Sequence, residues 1–150
     1  MAYVPRGKIV VSVVDPKTGK GVFEEDKQVE IETLAGGATL RRVAGVNSVP
    51  VTDIYVDSTH LVGAIANERG CNFLECEMQP GQLSPMHATP SIDFGTMITG
   101  EITLILDSGE ERVLKPGDMY IQKSAAHAWE NRGTTPARFA TVAIASRPEK

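Results

Sequence analysis

The stretch Gly100–Gln122, GEITLILDSGEERVLKPGDMYIQ, decides the fold. Ile102–Leu106 (ITLIL) is rich in β-branched residues and reads as a strand. Asp107-Ser108-Gly109 reads as a hairpin turn. Arg112–Leu114 then returns, Lys115-Pro116-Gly117-Asp118 turns again, and Met119–Gln122 is a third strand. Three strands in 23 residues, each bounded by turn chemistry, predict an antiparallel β domain.

The same grammar extends in both directions. Downstream, His127–Asn131 and Arg138–Ile144 read as strands, and only Ser146–Lys150 looks frayed. Upstream, Thr96–Ile98 runs into Gly100. Phe73–Met78 (FLECEM) alternates, with Leu74, Cys76 and Met78 on one face and Glu75 and Glu77 on the other. Further strands are expected at Lys8–Asp15, around Val29–Ile31 and at Val51–Val56, with breaks at Pro16–Gly19 and Ala35–Gly37. Ser58–Gly70 reads equally as a short helix or a loop. Val (15), Ile (10) and Thr (12) outnumber Leu (8), and 14 Gly and 9 Pro interrupt any helical periodicity. The expected class is all-β, a closed or double-sheet barrel able to hold one small ligand.

A chain of 150 residues and 16.1 kDa matches one domain. Residues 1–60 are expected to give its N-terminal strands and residues 73–145 its barrel region. Lys and Arg number 15 against 19 Asp and Glu, a net charge of −4, with no basic stripe. Nucleic acid is therefore not an expected partner. No apolar run approaches the length of a membrane span, and Met1–Lys8 has no apolar leader. These features predict a cytoplasmic chain with no membrane partner. Cys71 and Cys76 lack C-x-x-C spacing, and Cys76 is expected to be a buried free thiol.

Candidate chemistry gathers at two of the three histidines. His60 lies in the polar run Asp57–His60 and reads as a peripheral residue. His87 follows Gly81 and precedes Thr89, Asp93 and Gly100. His127 follows Gly117 and precedes Trp129 and Asn131. These spacings resemble the two motifs of the cupin superfamily. The first motif has Thr89 for the second His and Asp93 for Glu. The second is one residue short, with Lys123 at the usual Pro. The strings SPMHATPSIDFG, GEITLILDSGEERVLKPGD and HAWENRGTTPARF are similar to a subgroup of small single-domain cupins found in bacterial and fungal gene sets, natural-product clusters among them. The resemblance implies a cupin-type double-stranded β-helix, a jelly-roll barrel, that brings both motifs to one pocket. It also implies a homodimer.

In such a pocket His87, Asp93 and His127 are the expected catalytic residues. They are also a three-ligand set for one divalent transition metal (Fe, Mn, Ni or Zn). Thr is a poor ligand and Asp is one methylene shorter than Glu, so a metal-free reading stands beside that one. In it, a His held by a carboxylate moves a proton next to a carbonyl, as in a dehydratase, isomerase or decarboxylase. Thr89, Tyr120, Gln122, Trp129 and Met97 are the expected substrate contacts, Tyr120 and Gln122 as hydrogen-bonding groups. Met86 and Met97 read alternatively as packing, Asp93 as an Asx-turn residue, Asn131 as a turn cap and Lys123 as a surface residue. The expected substrate is a small carbonyl or hydroxy-acid-like compound, and the expected activity that of a lyase or isomerase. A metal-dependent oxygenase and a non-catalytic binding module are the alternatives.

Overall fold

The three strands of Gly100–Gln122 form as the turns dictate, but they divide between two sheets. The computed structural model describes residues 5–7, 10–25, 31–52 and 65–146. Their strands are β1 (Ser12–Val14), β2 (Gly21–Phe23), β3 (Ile31–Thr33), β4 (Thr39–Val46), β5 (Cys71–Met78), β6 (Ser91–Thr99), β7 (Ile102–Leu106), β8 (Glu111–Leu114), β9 (Met119–Lys123), β10 (His127–Glu130) and β11 (Ala137–Ala145). No helix occurs among the described residues. β7 and β8 join β10 in a three-stranded sheet, ordered β10-β7-β8. β9 crosses to the edge of a six-stranded sheet, ordered β3-β4-β5-β11-β6-β9. Every described pairing is antiparallel.

Alternation along each strand builds the core. Leu40, Leu74, Cys76, Met78, Met97, Tyr120 and Phe139 project from the larger sheet. They meet Ile102 and Trp129 of the smaller sheet, with Leu104 and Leu114 packed at the margin. Burying a side chain such as Leu74 or Ile102 is worth about 1.5–3 kcal/mol. Gly100 makes the corner from β6 to β7. Its φ is +70°, and a Cβ there would lie 2.4 Å from Pro136 O, so a side chain is excluded on both counts.

The acidic face of β5 is not the solvated face that alternation alone suggests. Glu75 and Glu77 are buried on the outside of the sheet. Glu75 is paired with Arg6 Nε and Arg41 Nη2, both at 3.0 Å. Glu77 Oε2 accepts from Arg138 Nε at 2.9 Å. These cross-strand charges sit opposite one another in the β4–β5 and β5–β11 registers.

Several boundaries differ from the sequence reading. β4 was not expected, because Arg41 and Arg42 interrupt its apolar pattern. Their partners, Glu75 and Glu32, lie on neighbouring strands. β6 starts at Ser91 rather than Thr96, since its inner face carries Ser91 and Asp93 where an apolar residue is the usual signal. The N-terminal strand is confined to Ser12–Val14 among the described residues. Lys8, Ile9, Val29 and Glu30 lie outside those residues. Val51 and Thr52 are not in a strand, and the remainder of the Val51–Val56 stretch lies outside the described residues, as does His60.

Candidate functional site

Backbone pairing brings the two histidine frames together. The segment after Gly81 runs antiparallel to β10 like an irregular strand. Ser84 N donates to Trp129 O and Asn131 N to Gln82 O. His87 N donates to His127 O at 2.9 Å, and His127 N donates back to His87 O at 2.8 Å. The histidines are thus a directly opposed pair, with ring centroids 4.3 Å apart and planes tilted by 56°. Ser84 Oγ accepts from Trp129 N and fixes the register. Asn131 is fully buried and holds the exit of β10. Its Nδ2 donates to Met78 O and Thr135 O, and its Oδ1 accepts from Gly133 N. The turn-cap reading of Asn131 describes this arrangement.

Both imidazoles have one nitrogen committed to the backbone. His87 Nδ1 lies 2.8 Å from Pro85 O, and His127 Nδ1 lies 2.8 Å from Ala125 O. A carbonyl only accepts, so each Nδ1 carries a proton, and in a neutral ring the lone pair is left on Nε2. Gln122 Nε2 lies against the His127 ring, 2.5 Å from Nδ1 and 2.9 Å from Nε2. Gln122 is therefore turned onto His127 and is not among the residues lining the cavity, where it was expected as a substrate contact. Burial of His127 lowers its pKa and favours the neutral ring.

These groups open onto a cavity of ≈ 90 Å³ between the sheets. His87, Thr89, Asp93, Tyr120, His127 and Trp129 all line it, as the sequence reading expects. Sequence reasoning did not single out Ser84, Phe139 or Thr141, which also line it. The alternation of β11 carried a signal for the last two. Asp93 is in β6 and not in an Asx turn. Its Oδ1 accepts from Ser91 Oγ at 2.6 Å. Burial raises its pKa, opposed by that hydrogen bond and by His87. The expected His–carboxylate hydrogen bond is not formed, because each ring instead donates to a carbonyl two residues before it. Lys123 is exposed, as the surface reading has it.

Tyr120, Trp129 and Phe139 form the apolar wall. Tyr120 lies 5.2 Å from Trp129 and Trp129 lies 4.9 Å from Phe139, ring centre to ring centre. Tyr120 faces Gly95 in the β6–β9 register, and a Cβ on Gly95 would fall 2.1 Å from its ring. The missing side chain is what lets the ring cross β6. It then stands on the inner face between Asp93 and Met97. Met97 is packed in the core and is not a lining residue, contrary to its expected substrate contact. Burial keeps the Tyr120 hydroxyl, hydrogen-bonded to Thr141, in its protonated form.

The three-ligand metal set is not assembled as expected. No group of three His, Cys, Asp or Glu side chains suited to a metal ion occurs among the described residues. The Gln122 amide lies against the His127 ring, and Asp93 Oδ1 accepts from Ser91 Oγ. The residues as arranged do not fit a two-histidine, one-carboxylate centre.

The raised pKa of Asp93 has a stability consequence. The native state holds a proton that the unfolded chain has lost, so the destabilisation appears as pH rises through the native value. Asp93→Asn keeps the acceptor for Ser91 and removes the buried charge. We expect thermal denaturation to show a higher Tm for the variant at neutral pH, and a difference that closes near pH 4, about the unfolded Asp value.

Comparison with known proteins agrees with this geometry. Residues 74–144 match the cupin domain family. The chain is 40% identical over 87 residues to a cupin-domain-containing oxidoreductase of Hypocrea virens, a match covering 56% of this chain and 44% of that one. A second cupin-domain-containing oxidoreductase, from Neurospora crassa, is 29% identical over 136 residues, covering 87% and 69%. The chain thus spans less than half the length of the first of these relatives. The polyketide cyclase RemF of Streptomyces resistomycificus superposes with a TM-score of 0.56 at 20% identity, over 81% of this chain and 77% of that one. That likeness is one of fold, the double-stranded β-helix. Residues 74–144, which carry both histidine frames and the strands β6 to β10, are a cupin domain.

Proposed function

We propose that this chain is a small-molecule enzyme of lyase or isomerase type that moves a proton next to a carbonyl. The observation that carries this reading is a cavity that keeps an imidazole and a carboxyl side by side in their uncharged forms. Burial lowers the pKa of His127 and raises that of Asp93. An uncharged imidazole can accept a proton and an uncharged carboxyl can give one. In this reading His87 Nε2, which has no hydrogen-bond partner among the described residues, takes the α-proton. His127, capped by Gln122, holds the opposed ring in place. Asp93 returns a proton to the oxygen that leaves or enolises, and the neutral Tyr120 hydroxyl donates a hydrogen bond to it.

α-Proton exchange tests this without knowledge of the natural substrate. The chelator-treated protein is incubated in D2O with a panel of small aldehydes and ketones and followed by NMR. Catalysed exchange at one α-position, lost in His87→Gln, is expected. Exchange no faster than buffer across the panel overturns the reading.

The names of the relatives favour a second reading, an oxidoreductase. Its test is oxygen uptake with the same panel after reconstitution with Fe(II). Uptake without α-exchange selects this reading over the first.

We also infer a homodimer. Phe73, Phe94, Met119 and Ile121 are exposed on the outer face of the six-stranded sheet, around a groove of ≈ 460 Å³. A contiguous apolar sheet face is a common site of self-association, and a two-fold would cover both copies at once. Light scattering should give twice 16.1 kDa, and Ile121→Lys should return the mass to that of one chain. A wild-type mass of 16.1 kDa at micromolar concentration removes the inference.

A further inference from the structure

We propose that the cavity selects uncharged ligands and rejects carboxylates and phosphates, because its wall, among the described residues, carries no fixed cation. This rests on the reading of the cavity as a small-molecule site and names the ligand's charge class.

Among the described residues, no lysine or arginine lines the cavity. Its polar groups are His87, His127, Asp93, Tyr120, Ser84, Thr89 and Thr141, gathered against a largely apolar wall of aliphatic and aromatic side chains. Strand alternation explains where the cations went. Arg41 and Arg138 lie on β4 and β11, strands that also carry the cavity residues Leu40, Phe139 and Thr141. They occupy the opposite parity and project from the outer face. There they are closed by Glu75 and Glu77. Arg6 lies on the same face with Glu75, and Arg42 pairs with Glu32. Lys123, beside Gln122 on β9, is likewise exposed.

An anion entering the cavity would lose its water without gaining a counter-charge. Desolvation of a charge against an apolar wall is unfavourable unless it is paired. With each Nδ1–H committed to a backbone carbonyl, an imidazole in its neutral form has no N–H left for such a ligand, and Asp93 brings only further oxygen. A neutral carbonyl or amide meets the opposite situation. Its apolar body packs on Trp129 and Phe139, and its oxygen faces the Tyr120 hydroxyl. Of the two substrate types expected from the sequence, the carbonyl compound fits and the hydroxy acid does not.

The chain contains a single tryptophan, Trp129, and it lines the cavity, so its fluorescence reports occupancy directly. Butanamide and butanoate have nearly the same shape and differ in charge. Each is titrated into chelator-treated protein at constant ionic strength and about pH 8.5, where ordinary imidazoles are neutral. We expect a saturable change in Trp129 emission with butanamide and at least tenfold weaker binding of butanoate. Butanoate binding as tight as butanamide overturns the charge selectivity and leaves the small-molecule site standing. No saturable response to either overturns both.

Discussion

Glu77→Ala should lower the unfolding free energy by about 3–5 kcal/mol, the usual cost of breaking a buried ion pair. Glu77 and Arg138 are both more than nine-tenths buried, side by side on β5 and β11. The variant leaves the Arg138 guanidinium without its closest acceptor beneath the surface of the sheet. For a chain of this size each kcal/mol is worth about 2–4 °C, so Tm should fall by roughly 10 °C. The double variant Glu77→Leu, Arg138→Leu removes both charges and restores most of the loss, because the desolvation penalty disappears with the pair. Chemical denaturation of the two variants checks this. A single variant within 1 kcal/mol of the parent, about the size of an exposed pair, would show that the pair is solvated in solution.

His87→Ala should reduce turnover by about 10²–10⁴-fold, the range for removal of a general base, and His127→Ala should reduce it by freeing the ring it opposes. Their effects on stability should differ. His87 is half-buried, and its ring is held by one bond to Pro85 O. Its truncation should leave Tm within about 2 °C, since surface-proximal substitutions away from the core cost little. His127 is 3% exposed, is bonded to Ala125 O and Gln122, and packs edge-on against Trp129 at 5.7 Å. Its loss strands the buried Gln122 amide and opens a cavity, for about 1–3 kcal/mol. Turnover measured with any substrate that shows α-exchange, beside thermal denaturation, separates the two. A His87 variant that keeps full activity would move the chemistry away from the histidine pair.

Low Leu, frequent Gly and Pro, and the turns at Asp107–Gly109 and Lys115–Asp118 sufficed for an all-β fold and for β7, β8 and β9. The resemblance of the His87 and His127 frames to the cupin motifs implied one pocket for both, with Thr89, Asp93, Tyr120 and Trp129. These are local properties. A turn type is set by a few adjacent residues, and a strand face by parity along one segment. The missed features involve partners distant in sequence. β4 was hidden because Arg41 and Arg42 read as surface charge until Glu75 and Glu32 are seen beside them. Gln122 shares a strand face with Tyr120, yet it bonds His127 while Tyr120 reaches the cavity over Gly95. That difference follows from strand register and from a side chain missing on a neighbouring strand. Whether Asp93 joins the histidines is likewise a matter of ångströms. Ser91 holds its carboxylate, and two backbone carbonyls hold the rings. Sequence by itself determined which residues could meet. Only the tertiary structure decided which atoms do, because hydrogen-bond partnership depends on cross-strand geometry that no single segment encodes.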